Sequence, residues 1–411
     1  MLMTDILKEV GRGKRGARDL NYEEALPAAE LIVNGEATSA QIGAFFMAQR
    51  IKLESVDELK AFVTVFRHHA HRSEVPGGLD CAGPYDGRTN SFIATFATSF
   101  LLAACELPVT LHGTKSLPPK WGVTLPDLLG EMGIHAEKME PPAAAQSAGA
   151  AGRTGAAEVV RVRPGDAAEV AGVRPAGAVE AAGVHPVGAA AAAGDRPSGA
   201  VEAARVRFVP AEVWCPPLAR LRPIREELGL RSILNTIEKL LDFSQSPYLV
   251  YGVYHNTVFD RMAQLVQELG YRRALIVQGT QGSEDLFIDR PTRTYVVDQG
   301  TAKLHVIDPE TYGLDTPLPE MNTPWSAQQQ LRVTEAVLRG EAHPAFVNQV
   351  LLNGAVRLEL AERVSSVEEG VYTCKALLDS GAAWDAYCLW QEAMRLTQTA
   401  AAERGQISRK A

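Results

Sequence analysis

Side chains suited to binding anions occur in two segments that follow runs typical of β-strands. Residues 81–92 read CAGPYDGRTNSF and lead into a predicted helix, whose N-terminus would present free N–H groups to an anion. An ordinary connecting loop is the alternative, because the segment is neither a P-loop nor a GxGxxG motif. Residues 112–120 read HGTKSLPPK. The side chains of His112, Lys115 and Lys120 could contact a phosphate or a polar acceptor, or they could lie solvated on a surface loop.

Two further segments carry carboxylates and arginines. Residues 279–285 read GTQGSED and place Glu284 and Asp285 on a glycine-bearing loop after a β-type run. Adjacent carboxylates suit Mg²⁺, a hard cation that takes one or two protein carboxylates plus substrate phosphates; a solvated acidic turn is the alternative. Residues 216–235 form the densest cationic stretch of the α/β part. Arginine can bind a carboxylate or a phosphate through two parallel hydrogen bonds, although some of these arginines could only cap helices or pair with neighbouring glutamates.

A compact basic run near the N-terminus offers a different chemistry. Residues 11–18 read GRGKRGAR, and such a run can contact nucleic-acid phosphates or form a solvated turn. The net charge of −8 argues against a globally basic nucleic-acid binder, so only this local patch is a candidate. The candidate contacts are Arg12, Lys14, Arg15 and Arg18.

The elements that position these segments change in type along the chain. Residues 1–75 read as apolar-striped helices that begin after Asn21, Thr38 and Ser55. Beyond them, short β-type runs alternate with helical patterns, which indicates an α/β fold with an at least partly parallel sheet. The β-type runs cover residues 79–83, 108–112, 206–209, 249–253 and 274–278. The helical patterns cover residues 92–104, 233–241, 259–269, 331–338, 346–352 and 384–396.

Residues 149–203 differ from the rest because they repeat with a period of eleven, as in AGVRPAGAVEA and AGDRPSGAVEA. The repeat contains no Leu, Ile, Phe, Met, Tyr or Trp, so it cannot bury a core, and its recurrent proline prevents one long helix. We therefore predict a disordered low-complexity insertion over residues 141–203. The predicted domains are a helical domain over 1–75, completed by helices around 216–242, and an α/β domain over 76–140 and 204–400.

The overall composition narrows the class of protein. Hydrophobic residues make up 46% and charged residues 22%, close to the globular average, which argues against a disordered chain. The sequence lacks a run of about 18 apolar residues, so we expect no membrane span. The five cysteines show no CxxC spacing, and the N-terminal residues show no signal-peptide pattern. These features favour a cytoplasmic protein with reduced thiols over a disulfide framework or a zinc ribbon.

Taken together and in order, these segments resemble glycosyltransferase family 3, the anthranilate phosphoribosyltransferase family. The most specific stretch is PIREELGLRSILN at 223–235, supported by NGEATSAQIGAFFMAQRIK at 34–52, ALIVQGTQGSEDL at 274–286 and EEGVYTCKALLDSGAA at 368–383. The resemblance covers nearly the whole chain except residues 141–203. It implies a small helical domain, a larger α/β domain with a mostly parallel central sheet, and a homodimer formed through the helical domains. It also implies a cleft that binds phosphoribosyl diphosphate (PRPP) and Mg²⁺.

The resemblance assigns roles to individual residues but designates none of them as certainly catalytic. Glu284 and Asp285, an acidic pair in reversed order, would hold the metal. The resemblance also implies substrate-binding residues. Asp86, Gly87, Thr95 and Lys115 would surround the diphosphate and ribose, and His112, Gly113 and Arg225 would lie on the acceptor side.

Several family positions are altered in this sequence. The glycine pair of the diphosphate loop has become Pro84-Tyr85, so that loop is eroded, and Pro84 cannot donate an N–H group to phosphate. Ala94 replaces a metal-binding serine and Leu111 a phosphate-binding lysine. Cys215 replaces a histidine of the acceptor channel. With these departures, the sequence resembles a divergent branch of the family that includes nucleic-acid-binding paralogues.

Two functions are therefore compatible with the sequence. The first is Mg²⁺-dependent transfer of a phosphoribosyl group from PRPP to a small aromatic or nitrogen acceptor, as in tryptophan biosynthesis. The second is a non-catalytic paralogue that binds nucleic acid through the basic run at 11–18. The retained acidic pair favours the enzyme, whereas the lost loop glycines, Ala94 and Leu111 favour the paralogue. We favour the enzyme because the resemblance extends along the whole chain.

Overall fold

The computed structural model describes residues 2–13, 15–142, 205–320 and 323–408. Lys14 and almost all of the insertion predicted over 141–203 therefore lie outside the described residues. Among the helices that the structure describes, none combines the length and the hydrophobicity that crossing a bilayer requires.

The N-terminal region is helical, as predicted, and its helix starts are determined locally. Asn21, Thr38 and Ser55 each accept a hydrogen bond from the backbone N–H three residues later, and the side chain at that later position bonds back to the cap. Such reciprocal capping satisfies two otherwise unpaired N–H groups at each helix start. The helices are α1 (Met3–Val10), α2 (Tyr22–Val33), α3 (Ser39–Lys52) and α4 (Val56–His68).

The described α/β part is built on a seven-stranded sheet with the order β3-β2-β1-β4-β5-β6-β7. Strands β1 to β5 pair in parallel, which confirms the predicted mostly parallel sheet, whereas β6 and β7 form an antiparallel hairpin at one edge. The strands are β1 (Leu79–Ala82), β2 (Val109–Gly113), β3 (Val206–Pro210), β4 (Tyr248–Gly252), β5 (Arg273–Val277), β6 (Thr292–Asp298) and β7 (Thr301–Ile307).

The remaining helices cover the two faces of the sheet and its edges. The predicted helix over 233–241 is shorter in the structure, because a 3₁₀ turn replaces its second half. The helices are α5 (Ala94–Ala104), α6 (Leu125–Glu131), α7 (Ala211–Trp214), α8 (Pro216–Leu228), α9 (Leu234–Ile237), α10 (Asn256–Glu268), α11 (Ala327–Leu338), α12 (Pro344–Leu360), α13 (Val367–Asp379) and α14 (Ala382–Ser408).

Two hydrophobic cores lie on opposite faces of the sheet. On one face, Leu79 and Cys81 of β1 pack in the same core as the aromatic rings of α5 and α14, including Phe100 and Trp390. On the other face, Ala82 packs in a core with the N-terminal helices and with α8, α9 and α10. Because both faces are covered, the parallel strands β1, β2 and β4 are buried along their length, including the polar side chains of Asp80 and His112.

The strand order places a crevice at the carboxyl ends of the central strands. Strands β2 and β3 lie on one side of β1 and β4 lies on the other, so the direction of strand addition reverses at β1. Ligands of open parallel sheets bind at such a switch point, outside the carboxyl ends of the strands. The loops that follow β1, β4 and β5 all begin at these carboxyl ends. They contain two of the segments singled out in the sequence, 81–92 and 279–285.

Candidate functional site

The loop after β1 is held in place by a tight backbone contact. Gly87 has a φ of +75°, and a Cβ atom there would overlap the backbone of Gly122. The next residue, Arg88, forms an antiparallel bridge with Val123, with both N–H groups bonding across at 2.8 Å. Only glycine meets both the conformational and the spatial requirement at 87. The contact fixes the side chains of Asp86 and Arg88 at the carboxyl end of β1.

Asp86 gathers two cations from distant parts of the chain. Its carboxylate is buried, and it lies 3.0 Å from Lys120 Nζ and 2.8 Å from Arg231 Nη2. Burial lowers the pKa of Lys120, and the neighbouring Asp86 opposes that effect. Lys115, the predicted diphosphate ligand, is exposed and lines a separate cavity, so the structure brings Lys120 rather than Lys115 to Asp86. The cluster of two cations and one carboxylate carries a net positive charge.

Three hydrogen-bond donors of the 89–91 loop converge on a single oxygen atom. The backbone N–H groups of Thr89 and Asn90 and the hydroxyl of Ser91 donate to Gln281 Oε1 at 3.0, 3.1 and 3.1 Å. Gln281 has a left-handed backbone with φ +55°, which is uncommon for a residue other than glycine. Lys120 donates to its backbone carbonyl at 3.1 Å. Convergent backbone N–H groups of this kind form concavities that bind anions, and here a neutral amide oxygen lies in one.

Asp285, one of the two predicted metal ligands, is saturated by protein donors. Its fully buried carboxylate accepts from Thr95 Oγ1 at 2.6 Å, from Arg88 Nη2 at 2.5 Å and from Arg357 Nη2 at 3.1 Å. Burial by itself would raise the pKa of Asp285, but the two guanidinium groups and the Thr95 hydrogen bond lower it. Thr95, which is predicted to lie near the diphosphate, is hydrogen-bonded to Asp285, and its contact with a ligand stays a prediction.

Glu284, the other predicted ligand, keeps one oxygen free. Its side chain is only 3% exposed, and Oε2 has no hydrogen-bond partner among the described residues. Arg88 Nη2 lies 3.8 Å away, and a Cβ atom at Gly83 would come within 2.9 Å of the same oxygen. A buried carboxylate oxygen without a partner is costly unless a ligand satisfies it. Glu284 therefore presents an acceptor towards the loop after β1.

These residues fit a Mg²⁺ ion that binds through one protein carboxylate. No group of three or more His, Cys, Asp or Glu side chains within the described parts of the chain is arranged to hold a metal. Mg²⁺ commonly retains several waters and binds one or two carboxylates together with substrate phosphates. Glu284 meets that requirement, whereas Asp285 could take part only by releasing an arginine.

Next to this region, the buried side chains of Tyr85, His112 and Asp80 contact one another in that order. His112, at the end of β2, has Nδ1 2.6 Å from the Tyr85 hydroxyl and Nε2 3.1 Å from Asp80 Oδ1. Tyr85 also donates to the backbone carbonyl of Glu238 at 3.2 Å, and burial raises its pKa. Neither oxygen of Asp80 has a hydrogen-bond partner among the described residues, and its contact with His112 Nε2 is a close approach without hydrogen-bond alignment. His112 is buried, and the acceptor role of His112 and Gly113 stays a prediction.

Arg225, predicted to orient the acceptor, forms a buried ion pair with Glu238. Its two terminal nitrogens contact the Glu238 carboxylate at 2.5 and 3.2 Å, and both side chains are buried. Burial raises the pKa of Glu238, and the charge of Arg225 opposes the rise. No local pattern predicts this pairing, since Arg225 lies in α8 and Glu238 begins a separate 3₁₀ turn.

Lys239 is a buried lysine that the sequence interpretation did not single out. Its ammonium group donates to the Gly252 carbonyl at 2.5 Å and lies 4.1 Å from the centre of the Tyr251 ring. Burial lowers the pKa of Lys239 to about 8. The available signal was the charged pair Glu238-Lys239 inside an otherwise apolar run from Ile237 to Leu241, since buried charges are rare without partners.

Two cavities meet at the carboxyl end of β2. A recess of about 30 Å³, which we call the inner recess, is lined by Gly83, Tyr85, Arg88, His112 and Glu284, among others. A larger open cavity of about 840 Å³ is lined by Lys115, Trp121 and Arg222, among others. Gly113, Thr114 and Val123 line both. A ligand in the larger cavity would therefore lie next to the inner recess.

The basic run at 11–18 is partly neutralised by neighbouring glutamates. Arg12 lies 2.7 Å from Glu9, and Arg18 lies 2.8 Å from Glu9 and 2.7 Å from Glu24. Arg15 is exposed. With its arginines at 12 and 18 paired, the run presents less free charge than its sequence suggests.

Comparison with known proteins identifies two matching family models. Residues 4–70 match the glycosyl transferase family helical bundle domain, and residues 181–384 match the glycosyl transferase family a/b domain. An anthranilate phosphoribosyltransferase of Symbiobacterium thermophilum is 27% identical over 93% of this chain and 94% of its own.

Two solved structures of anthranilate phosphoribosyltransferase from Saccharomyces cerevisiae share the fold. The structure in complex with PRPP and Mg is 14% identical, with a TM-score of 0.67 over 96% of this chain and 98% of that one. The structure in complex with 4-fluoroanthranilate is also 14% identical, with a TM-score of 0.66 over 96% and 99%. At this identity the likeness concerns the fold, a helical domain joined to an α/β domain.

Proposed function

The chain belongs to the glycosyl transferase family, and from that premise we propose that it transfers a phosphoribosyl group from PRPP to a nitrogen acceptor. The observation that supports this proposal best is the 89–91 loop, whose three donors converge on one oxygen beside a cluster of net positive charge. A diphosphate oxygen could take the position of Gln281 Oε1. A yeast anthranilate phosphoribosyltransferase that shares this fold has been solved in complex with PRPP and Mg, which supports PRPP as the proposed substrate.

The proposed chemistry depends on electrostatic stabilisation of the leaving group. As the bond between the ribosyl carbon and the diphosphate oxygen breaks, negative charge develops on the diphosphate, and positioned donors stabilise that charge. Lys120 and Arg231 supply positive charge, and the 89–91 loop supplies neutral N–H donors. The acceptor nitrogen attacks the ribosyl carbon as the diphosphate leaves, and the proton on that nitrogen passes to water or to the released diphosphate.

The resident metal would be Mg²⁺, held through Glu284. When bound, it neutralises charge on the diphosphate. Arg88 and Arg357 donate hydrogen bonds to Asp285 and keep its carboxylate ionised. Arg357 also bonds Thr95 at the start of α5, so this helix end is tied to the loop at 279–285. The side chain missing at Gly83 leaves room beside the free oxygen of Glu284.

Isothermal titration with PRPP, with and without Mg²⁺, tests the proposal. We expect saturable binding that Mg²⁺ strengthens and that Lys120→Ala weakens. Lys115→Ala is the matched control, because its exposed lysine lies outside the Asp86 cluster. Glu284→Gln should abolish the Mg²⁺ effect, whereas Glu131→Gln, at an exposed position, should preserve it. If PRPP fails to bind the wild-type protein with Mg²⁺ present, the proposed function is wrong.

The homodimer and the nucleic-acid contact remain predictions from the sequence. Sedimentation velocity tests the first. Gel-shift titration at two salt concentrations tests the second, because phosphate contacts weaken steeply as salt increases.

A further inference from the structure

Two carbonyl groups of the 89–91 loop are bonded to the segment that contains α11. The backbone N–H of Trp325, just before this helix, donates to the Thr89 carbonyl at 2.9 Å. The side chain of Gln330, in the first turn of α11, donates to the Ser91 carbonyl at 2.8 Å. The α11 segment therefore pairs the acceptors of the loop, and the N–H donors of the loop are left for the concavity where the diphosphate is proposed to bind.

Gln330 uses both ends of its amide to hold this part of the backbone. Its Oε1 accepts a hydrogen bond from the backbone N–H of Ile93 at 2.8 Å, while its Nε2 donates to Ser91. The side chain is fully buried, and its two partners are 237 and 239 residues away in the chain. Because one rigid amide bridges a carbonyl and the N–H group two residues later, it fixes the backbone where the loop joins α5.

The proposed diphosphate site needs this support because part of it is neutral. The cations Lys120 and Arg231 attract a diphosphate from several directions, whereas N–H donors contribute only when they are aligned on the ligand. A loop that becomes ordered only on binding loses part of the binding free energy to conformational entropy. A loop that is already ordered avoids this loss.

We propose that Gln330 is a positioning residue for diphosphate binding, and that it acts through the 89–91 loop without touching the ligand. The inference rests on the proposed phosphoribosyl transfer and adds to it a residue of α11, outside the loops that follow the strands. Replacing Gln330 should weaken diphosphate binding although the charges of the Asp86 cluster stay unchanged.

Gln330→Met tests the inference, because methionine is close to glutamine in length and volume but cannot bridge Ser91 and Ile93. Inorganic diphosphate is titrated calorimetrically into the full-length wild type and into the variant at constant Mg²⁺. We expect the Kd to rise at least about fivefold, which corresponds to about 1 kcal/mol. A smaller rise would overturn the inference. If Gln330→Met does not fold, Gln330→Asn replaces it with the same threshold, because its shorter amide cannot span both groups.

Gln49→Met is the matched control for a loss of stability alone. Gln49 is also a fully buried glutamine in a helix, and its amide donates to Glu58 Oε1 at 2.9 Å within the N-terminal helices. Both variants lose hydrogen bonds, so both should melt at a lower temperature than the wild type. Only the Gln330 variant should bind diphosphate more weakly. Equal weakening in both would show that affinity merely follows stability, and the inference would be wrong.

A second arm combines Gln330→Met with Gln281→Ala. The Gln281 side chain occupies the loop donors, so its removal from the otherwise wild-type protein should tighten diphosphate binding. In the Gln330→Met background that gain should shrink at least about twofold, because the donors that are freed are no longer aligned. An undiminished gain would contradict the positioning role.

Titration of the wild type with diphosphate and PRPP separates the two levels of the argument. If neither ligand binds the wild-type protein, the proposed function is wrong and the role of Gln330 falls with it. If both bind the wild type and Gln330→Met equally well, only the inference about Gln330 is wrong.

Discussion

Replacing Gln281 should tighten the binding of diphosphate. In the structure its side-chain oxygen accepts hydrogen bonds from Thr89, Asn90 and Ser91, and its amide nitrogen donates to Thr89 Oγ1 at 2.8 Å. A diphosphate oxygen that uses the same donors must first displace this side chain. Gln281→Ala removes the competitor and leaves the donors in the 89–91 loop, so the ligand no longer has to break those bonds.

The magnitude follows from the bonds that must be exchanged. Each hydrogen bond contributes about 0.5–1.5 kcal/mol net of water, so the three to Oε1 amount to about 1.5–4.5 kcal/mol. Without Gln281 the loop is less ordered before binding, and fixing one residue's backbone costs about 1–2 kcal/mol. The expected net gain is about 0.5–2.5 kcal/mol, which is about 2- to 70-fold in Kd.

Isothermal titration with inorganic diphosphate measures this effect at 25 °C and constant Mg²⁺. Gln281→Glu is the opposing variant, because its carboxylate would stay bound to the three donors and weaken diphosphate binding. Gln278→Ala is the control, since that side chain is directed to Asn256 at 2.6 Å and not to the 89–91 loop. Equal affinity in the wild type and both Gln281 variants would show that diphosphate does not use these donors.

Three further predictions concern stability. Asp285→Asn should lower the free energy of unfolding by about 3–5 kcal/mol in urea titrations, because it leaves Arg88 and Arg357 without their buried counter-charge; a loss below about 1 kcal/mol would contradict this. Burial lowers the pKa of Lys239 to about 8, so the folded state releases this proton before the unfolded state does. Wild-type stability relative to Lys239→Met should therefore increase as pH rises from about 8 towards about 10.4, and thermal melts at several pH values would reveal a flat difference if the reasoning fails. Deleting residues 149–203, whose composition offers no core side chains, should change the melting temperature by only a few degrees, whereas global unfolding would show that the repeat is structural.

The N-terminal helices and the parallel strands could be predicted because their signals are local. Asn21, Thr38 and Ser55 each carry a capping partner three residues later, and β4 is a continuous buried apolar run. The β6–β7 hairpin was not predicted, although Ala302, Leu304 and Val306 alternate with polar residues in β7. Strand β7 lies at the edge of the sheet and is largely exposed, so it lacks the buried apolar run that marks the parallel strands.

The sequence by itself also determined which residue types the site contains, but only the tertiary structure decided how they pair. Glu284 and Asp285 are adjacent in the chain, yet one keeps a free oxygen and the other is bound by two arginines. Arg88 and Asp285 are 197 residues apart, and Thr89 and Gln281 are 192 apart. Such partners meet because parallel strands bring their carboxyl ends to one edge of the sheet, in an order set by packing on both faces and not by any local pattern.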